Sequence, residues 1–379
     1  MIIALPYVSF VIILFSLYLF GKSGSLYKSV SVITSYFLLV VFFGLRGYIF
    51  SDVFAYKPFY DIIPDFITII KTGYPERGAW WEPGFVLYCS IIKIFTDDYL
   101  VFQFIDTTIN LVLLYKALKW FDSHNGLIFM ILLSMSGLTL FIDTLRNTKA
   151  ILIFFVSLRY IYNKSFIKYI ICCFLALSFH ISSIVLFPLY FFLNKKYSKL
   201  FLAFILLMSI FLFLFGRKIV STLLPIILSS IPGMPDMLLN RIEGYMVNES
   251  EYSAQRGLSL GLIETFLTFL FMSYFYNKIC NNKITMIVNS FVLYFFFYFA
   301  FSGFYEVSHR MSMLFVFSYW ILWYQFLVCI RPKQIKNVFL CCFLIYSVLK
   351  CSQYSKPMQE YDNILIGGHQ RFHQRYYRL

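Results

Sequence analysis

The chain alternates long apolar blocks with short polar turns. The blocks predict helices near residues 2–20, 30–48, 99–118, 125–143, 147–163, 166–180, 182–194, 199–216, 258–277, 284–303, 310–330 and 337–350. An α-helix needs about 20 apolar residues to cross a bilayer, and several of these blocks are shorter, so their ends are the loosest part of the reading. The fold class that follows is all-α: one polytopic integral membrane domain over 1–379, with about 12 transmembrane helices. The first block, Met1 to Phe20, has neither a basic leader nor a small-residue cleavage site, so it is expected to stay as a helix.

The polar turns carry two kinds of positive charge. Lysine dominates one set: Lys22 and Lys28, Lys116 and Lys119, Lys164 and Lys168, Lys195 with Lys196 and Lys199, Lys278 and Lys283, and Lys333 and Lys336 beside Arg331. Positive charge accumulates on the cytoplasmic side of membrane proteins, and placing all these turns inside gives one consistent threading with the N-terminus outside. The other side then holds Arg46, Arg146, Arg217, Arg241, Arg256 and Arg310. Arginine at the outer ends of apolar helices is costly without an anionic partner, and its planar fork suits phosphate.

Parity makes one further demand. With Arg46 outside and Lys116 to Lys119 inside, helix 99–118 is the single crossing between them. The apolar stretch from Glu82 to Phe95 is then a re-entrant or interfacial helix, and 50–97 form a cap on the outer face. A second outer segment covers 219–257, bending at Pro232 and Pro235 before turning polar. The polar, basic tail 351–379 is also threaded outside, against the tendency of its charge.

Composition agrees with the pattern. The chain has 379 residues, 60% of them hydrophobic and 13% charged, with a mean hydropathy of +0.75, which excludes an ordinary soluble domain. Its 47 Phe and 30 Tyr suit lipid-facing surfaces and interfacial belts. The net charge of +14 is explained by topology, and without a basic stripe or nucleic-acid motif no nucleic-acid partner is expected. The eight cysteines lie in or beside apolar helices at no metal or disulfide spacing and read as packing residues.

Five constellations sit at predicted outer helix ends. Arg46, in Gly44-Leu45-Arg46-Gly47, is followed by Asp52 and Tyr56; Asp52 is either its structural partner or a substrate contact. Trp80-Trp81-Glu82-Pro83-Gly84-Phe85 opens the short helix of the cap. Pro83 and Glu82 are ordinary at a helix start, while paired tryptophans anchor at interfaces and also stack on sugars. Arg146 and Lys149 share a helical face with Ala150, and a helix N-terminus beginning there adds its dipole to make an anion site. His180, with Ser182 and Ser183 beside it, reads equally as a packed histidine or as a proton-transfer group. Glu306, His309 and Arg310 share another face, as a self-satisfied pair or as a phosphate and proton site. Arg241 and Arg256 are weaker anion candidates, and snorkelling accounts for Arg217. No phosphate loop, metal-protease motif or dense carboxylate cluster is present, so no cofactor and no metal are expected.

In this order, Arg46 with Asp52 and Tyr56, Glu82 to Phe85, Arg146 to Ala150, Ala176 with His180 and Ser182, and the late Arg310 resemble the EpsG family of Wzy-like repeat-unit polymerases of exopolysaccharide and O-antigen. The resemblance spans nearly the whole chain, although each motif alone is short. It implies a metal-independent glycosyltransferase in the bacterial plasma membrane with an outward-facing site. The reaction implied passes a glycan from an undecaprenyl-pyrophosphate-linked donor to a lipid-linked repeat unit. It implies Arg46, Arg146 and Arg310 on the pyrophosphate, with Lys149, Glu306, Arg241 and Arg256 as further substrate contacts. His180, Glu82, Asp52 and His309 are then the candidates for proton transfer, unranked. Membrane lipid and a chain-length regulator protein are the other partners implied. Rival readings are another polyprenyl-linked glycosyltransferase, an O-antigen ligase, and a flippase or transporter; the last predicts inverted repeats and broken helices at the midplane, and ionisable residues at the outer boundary disfavour it.

Overall fold

A computed structural model describes residues 3–73, 81–229, 257, 259–280, 282–365 and 372 of the chain. Helices α1 (Leu5–Phe20) and α2 (Ser25–Leu39) pack together, and α2 runs on through a π turn, Val40–Gly44. Three short helices follow: α3 (Val53–Ile62), α4 (Phe66–Thr72) and α5 (Pro83–Lys93). Then come α6 (Tyr99–Trp120), α7 (Gly126–Leu132), α8 (Leu138–Ile142), α9 (Leu145–Tyr162), α10 (Phe166–Phe179) and a 3-10 helix, Ile181–Phe191. The last helices are α11 (Lys199–Ser229), α12 (Leu260–Ile279), α13 (Asn282–Ala300), α14 (Tyr305–Met313), α15 (Val316–Cys329) and α16 (Lys333–Ser352). The described residues are all-helical, and each apolar block of the sequence has its helix.

Among the described residues, six helices are long and apolar enough to cross a membrane, or seven if Tyr305–Met313 and Val316–Cys329 count as one. The expected count of twelve is not confirmed: five of the expected blocks, 258–277 among them, fall outside these seven, and the other four have a visible physical reason. Two blocks are too short: α10 has 14 residues, a rise of about 21 Å, and the 3-10 helix has 11, about 22 Å, against a hydrocarbon core of about 30 Å. A third block, α9, carries three basic residues, Arg146, Lys149 and Arg159. A fourth, 125–143, is broken. Between α7 and α8 a π segment, Leu133–Gly137, holds Met135 and Ser136 at non-helical angles, with Ser136 at φ 63°. The carbonyl freed at Met135 accepts a 2.8 Å hydrogen bond from the buried Trp320 indole.

The chain divides into two compact units, one of Met1–Phe187 with Tyr319–Leu379 and one of Pro188–Ser318. In the first, α9 is the core helix. It packs on α6, α8 and α10 and is buried along nearly its whole length, polar Asn147, Thr148 and Lys149 included. Around it, α1 buries the stripe Tyr7, Phe10, Val11, Leu14 and Tyr18 against α7 and α16. Exposed apolar side chains such as Ile33 and Phe37 on α2 and Ile345 and Leu349 on α16 form surfaces suited to lipid. In the second unit, α13 packs on α11, α12 and α14. Its Asn289 donates to the carbonyls of Leu193 and Lys195, both at 2.7 Å, and accepts from the Tyr276 hydroxyl.

The two ends of the first unit are marked by charge and by pairing. Lys22 comes within electrostatic reach of Lys333 and Lys336. At the other end, the segment after α16 folds onto the end of α2. The Gly47 amide donates to Asp362 at 3.0 Å, the Ile364 amide to Leu45 at 2.9 Å, and the Phe50 amide to Met358 at 2.9 Å. The start of the tail therefore lies on the face that carries Arg46.

Candidate functional site

The N-terminal turn of α9 brings together Arg146, Lys149 and Glu82, half of the predicted residues of the first unit. Thr144 precedes the helix, and Arg146 and Lys149 follow three apart on one face. Their surroundings differ sharply. The Arg146 Nη1 is paired with the Glu82 carboxylate, and its Nε lies 3.5 Å from the Tyr56 hydroxyl. The guanidinium lies over the Trp81 ring, 4.5 Å from its centroid. Trp81 stacks on Phe59 at 4.4 Å and contacts Tyr56 and Phe85. The cation thus sits in an aromatic recess built by α3, which supplies Tyr56 and Phe59, and the start of α5. The pair stays partly open, with side-chain exposures of 25% for Arg146 and 16% for Glu82.

One turn deeper, Lys149 is closed off. Its ammonium is 2.8 Å from the Asp106 carboxylate and donates to Asn110 Oδ1 at 2.7 Å and the Asp106 carbonyl at 3.3 Å. Asp106 also accepts from the Tyr88 hydroxyl and the Asn110 amide, both at 2.9 Å. Both partners are buried, at 3% and 1% exposure. All three ammonium protons find acceptors, so Lys149 joins α6 to α9 and offers nothing to a ligand from outside. The sequence reading passed over Asp106. Its signal was present: a carboxylate inside the apolar block 99–118, four residues before Asn110, is rare enough in a membrane helix to mark a built site.

Arg46 has a different role again. It is 2% exposed. Its guanidinium donates to the carbonyls of Phe43 and Ile142, the latter at 3.1 Å, and meets the Thr107 hydroxyl at 3.4 Å. Phe43 lies in the π turn that ends α2, and Ile142 ends α8. Helix C-termini present carbonyls without partners and a negative dipole end, and one cation here serves two of them. The anion that Arg46 was expected to need is replaced by these oxygens.

Asp52 starts α3, and its amide donates to Asp143 at 2.7 Å, while the Ser51 hydroxyl donates to the same carboxylate at 3.0 Å. Burial pushes the Asp143 carboxyl above the usual carboxylate range, and these two bonds act against that push. Asp143 so ties the cap to the turn that starts α9. His180 ends α10, is 7% exposed, and its Nδ1 accepts from the Ser182 amide at 3.3 Å with the Ser182 hydroxyl at 2.6 Å. Its helix packs against α5: a Cβ on Gly84 would lie 2.7 Å from both the Ser178 Cβ and carbonyl oxygen.

The second unit holds the remaining described candidates on α14. Arg310 Nε is 3.2 Å from Glu306 Oε2, one turn away, and the His309 ring stacks on Tyr305 at 6.0 Å. Arg241 and Arg256 lie outside the described residues. Among the described residues no three His, Cys, Asp or Glu side chains converge as metal ligands do, and the eight cysteines are free.

Geometry therefore brings Arg146, Glu82, Tyr56 and Trp81 into one partly open recess, with the Lys149–Asp106 pair as its floor. Comparison with curated proteins and with solved structures gives no match. Comparison with family models gives one that covers residues 29–362 and so contains every residue of this recess. That model describes the EpsG family, and the chain belongs to it.

Proposed function

We propose that the protein is a polysaccharide polymerase. EpsG is a Wzy-like, polymerase-type family connected with exopolysaccharide synthesis, and the several long apolar helices make this a multi-pass membrane protein. On our reading, a glycan carried on undecaprenyl pyrophosphate is transferred to a lipid-linked repeat unit at the outer face of the plasma membrane. The observation that supports it is the partly open Arg146 in an aromatic recess, above a charge pair that is already neutral. A departing pyrophosphate develops negative charge as the glycosidic bond breaks. A guanidinium positioned by Trp81 and Tyr56 is suited to stabilising that charge. A general base must accept the proton of the attacking hydroxyl, with His180, Glu82, Asp52 and His309 as candidates. Arg310, Arg241 and Arg256 are kept as further candidates for contacts with substrate. No cofactor is required by this scheme, and a chain-length regulator is a partner it accommodates.

The test is reconstitution. Purified protein given lipid-linked repeat units should lengthen them without nucleotide sugar, and Arg146→Lys, which keeps charge but loses the fork, should lower elongation by about 10²-fold or more. Wild-type protein that leaves single repeat units unextended would remove the polymerase reading. Unchanged elongation in Arg146→Lys would remove the two-pronged grip.

A further inference from the structure

The two ion pairs on α9 differ in whether they can exchange partners. Lys149 has every proton engaged, and Asp106 is held by Tyr88 and Asn110 besides. That pair has no place for a newcomer. Arg146 engages Glu82 through Nη1 and approaches Tyr56 through Nε; among the described residues its Nη2 makes no hydrogen bond. Five N–H groups on a quarter-exposed guanidinium leave donors for a second anion. Glu82 is equally uncommitted. It stands at the N-cap of α5, yet its side chain makes no capping bond, so the helix does not depend on the carboxylate staying where it is.

Resting on the polymerase reading above, we propose that Glu82 is the general base of the transfer and that substrate itself uncovers it. The carboxylate holds the anion place on Arg146 until a lipid diphosphate takes it. A diphosphate outcompetes a single carboxylate for a guanidinium because it brings more charge and a matching pair of oxygens. Its arrival sets a like charge beside Glu82, which weakens the carboxylate's hold on Arg146. The freed Glu82 then accepts the proton of the acceptor hydroxyl. The hydroxyl oxygen forms its bond to the anomeric carbon of the donor, and the bond from that carbon to the phosphate oxygen breaks. The electron pair leaves with the lipid diphosphate, which gains one negative charge and stays on Arg146. Binding and base activation are thereby one event, and an enzyme without donor keeps its base neutralised.

The experiment uses purified wild-type protein, Glu82→Gln and Glu82→Asp. Farnesyl diphosphate is the binding probe, read by tryptophan fluorescence since Trp81 lies on Arg146. Elongation of lipid-linked repeat units is the activity. Removing the competing carboxylate should make Glu82→Gln bind the probe several-fold more tightly than wild type while elongation falls by about 10²–10⁴-fold. Tighter binding also shows that the variant is folded. Glu82→Asp, which keeps a carboxylate, should fall between the two on both readouts. The proposal is overturned if Glu82→Gln still elongates, or if both variants bind the probe more weakly than wild type, which makes the pair structural. If wild type fails to elongate while Glu82→Gln binds more tightly, the exchange stands and the polymerase reading falls.

Discussion

At the scale of single residues, three cations that look alike in the sequence have three fates. Arg46 caps two helix ends, Lys149 is neutralised within the helix core, and Arg146 stays addressable. What separates them is the chemistry of the nearest acceptor and the water left around it. A carbonyl at a helix end holds a cation without competing for substrate, whereas a buried carboxylate cancels the charge. The Lys149–Asp106 pair makes a stability prediction. Asp106→Asn leaves a charged amine in a 3%-exposed site with no counter-ion, at a cost of about 3–5 kcal/mol. Thermal unfolding in detergent should show that loss, and the double variant Asp106→Asn with Lys149→Met should recover most of it. A single variant as stable as wild type would mean that Lys149 is not charged there.

At the scale of elements, α5 is the part on which the site depends. Its 11 residues follow Glu82 at the N-cap and carry Phe85 against Trp81 and Tyr88 on Asp106, so one short helix and its cap touch both charge pairs. It is held by close approach to α10, where only a glycine fits. Gly84→Ala puts a methyl group 2.7 Å from the Ser178 carbonyl oxygen, an overpacking that costs about 1–3 kcal/mol. Elongation should fall with it, because a displaced α5 carries Glu82 away from Arg146. Adding Ser178→Gly removes the side-chain clash and leaves the carbonyl, so rescue should be partial. Undiminished stability in Gly84→Ala would show that the two helices are not this close. Hydropathy made this region legible only in part. It marked a helix too short to cross, but the partner that a glycine admits is not written in the glycine. The π turn at Val40–Gly44 was not legible, since it lies in an apolar run, whereas the one at Leu133–Gly137 carries Ser134, Ser136 and Gly137, a small-residue cluster of the kind that breaks helices.

At the scale of the whole molecule, the arrangement of faces can be measured. Residues 358–364 pair with the segment that follows α2, so Ser51 and Ser355 should lie on one side of the membrane, and Lys22, beside Lys333 and Lys336, on the other. Single cysteines at these three positions, in a background without the eight native ones, would be treated with a membrane-impermeant thiol reagent. Ser51→Cys and Ser355→Cys should react in intact cells, and Lys22→Cys only after permeabilisation. Opposite faces for the first two would contradict the packing of the tail; reaction of both only after permeabilisation would contradict an outward site. The sequence by itself determined that this is a helical membrane protein, where its apolar blocks lie, and that Arg146 and Glu82 deserve notice. Those are properties of a residue and its near neighbours along the chain, which hydropathy and charge record directly. Only the tertiary structure decided which cation meets which oxygen. Glu82 with Arg146, Asp106 with Lys149 and Arg46 with Ile142 are contacts between elements far apart in sequence. Partner choice depends on which helix ends abut and how closely they pack, and no local pattern carries that information.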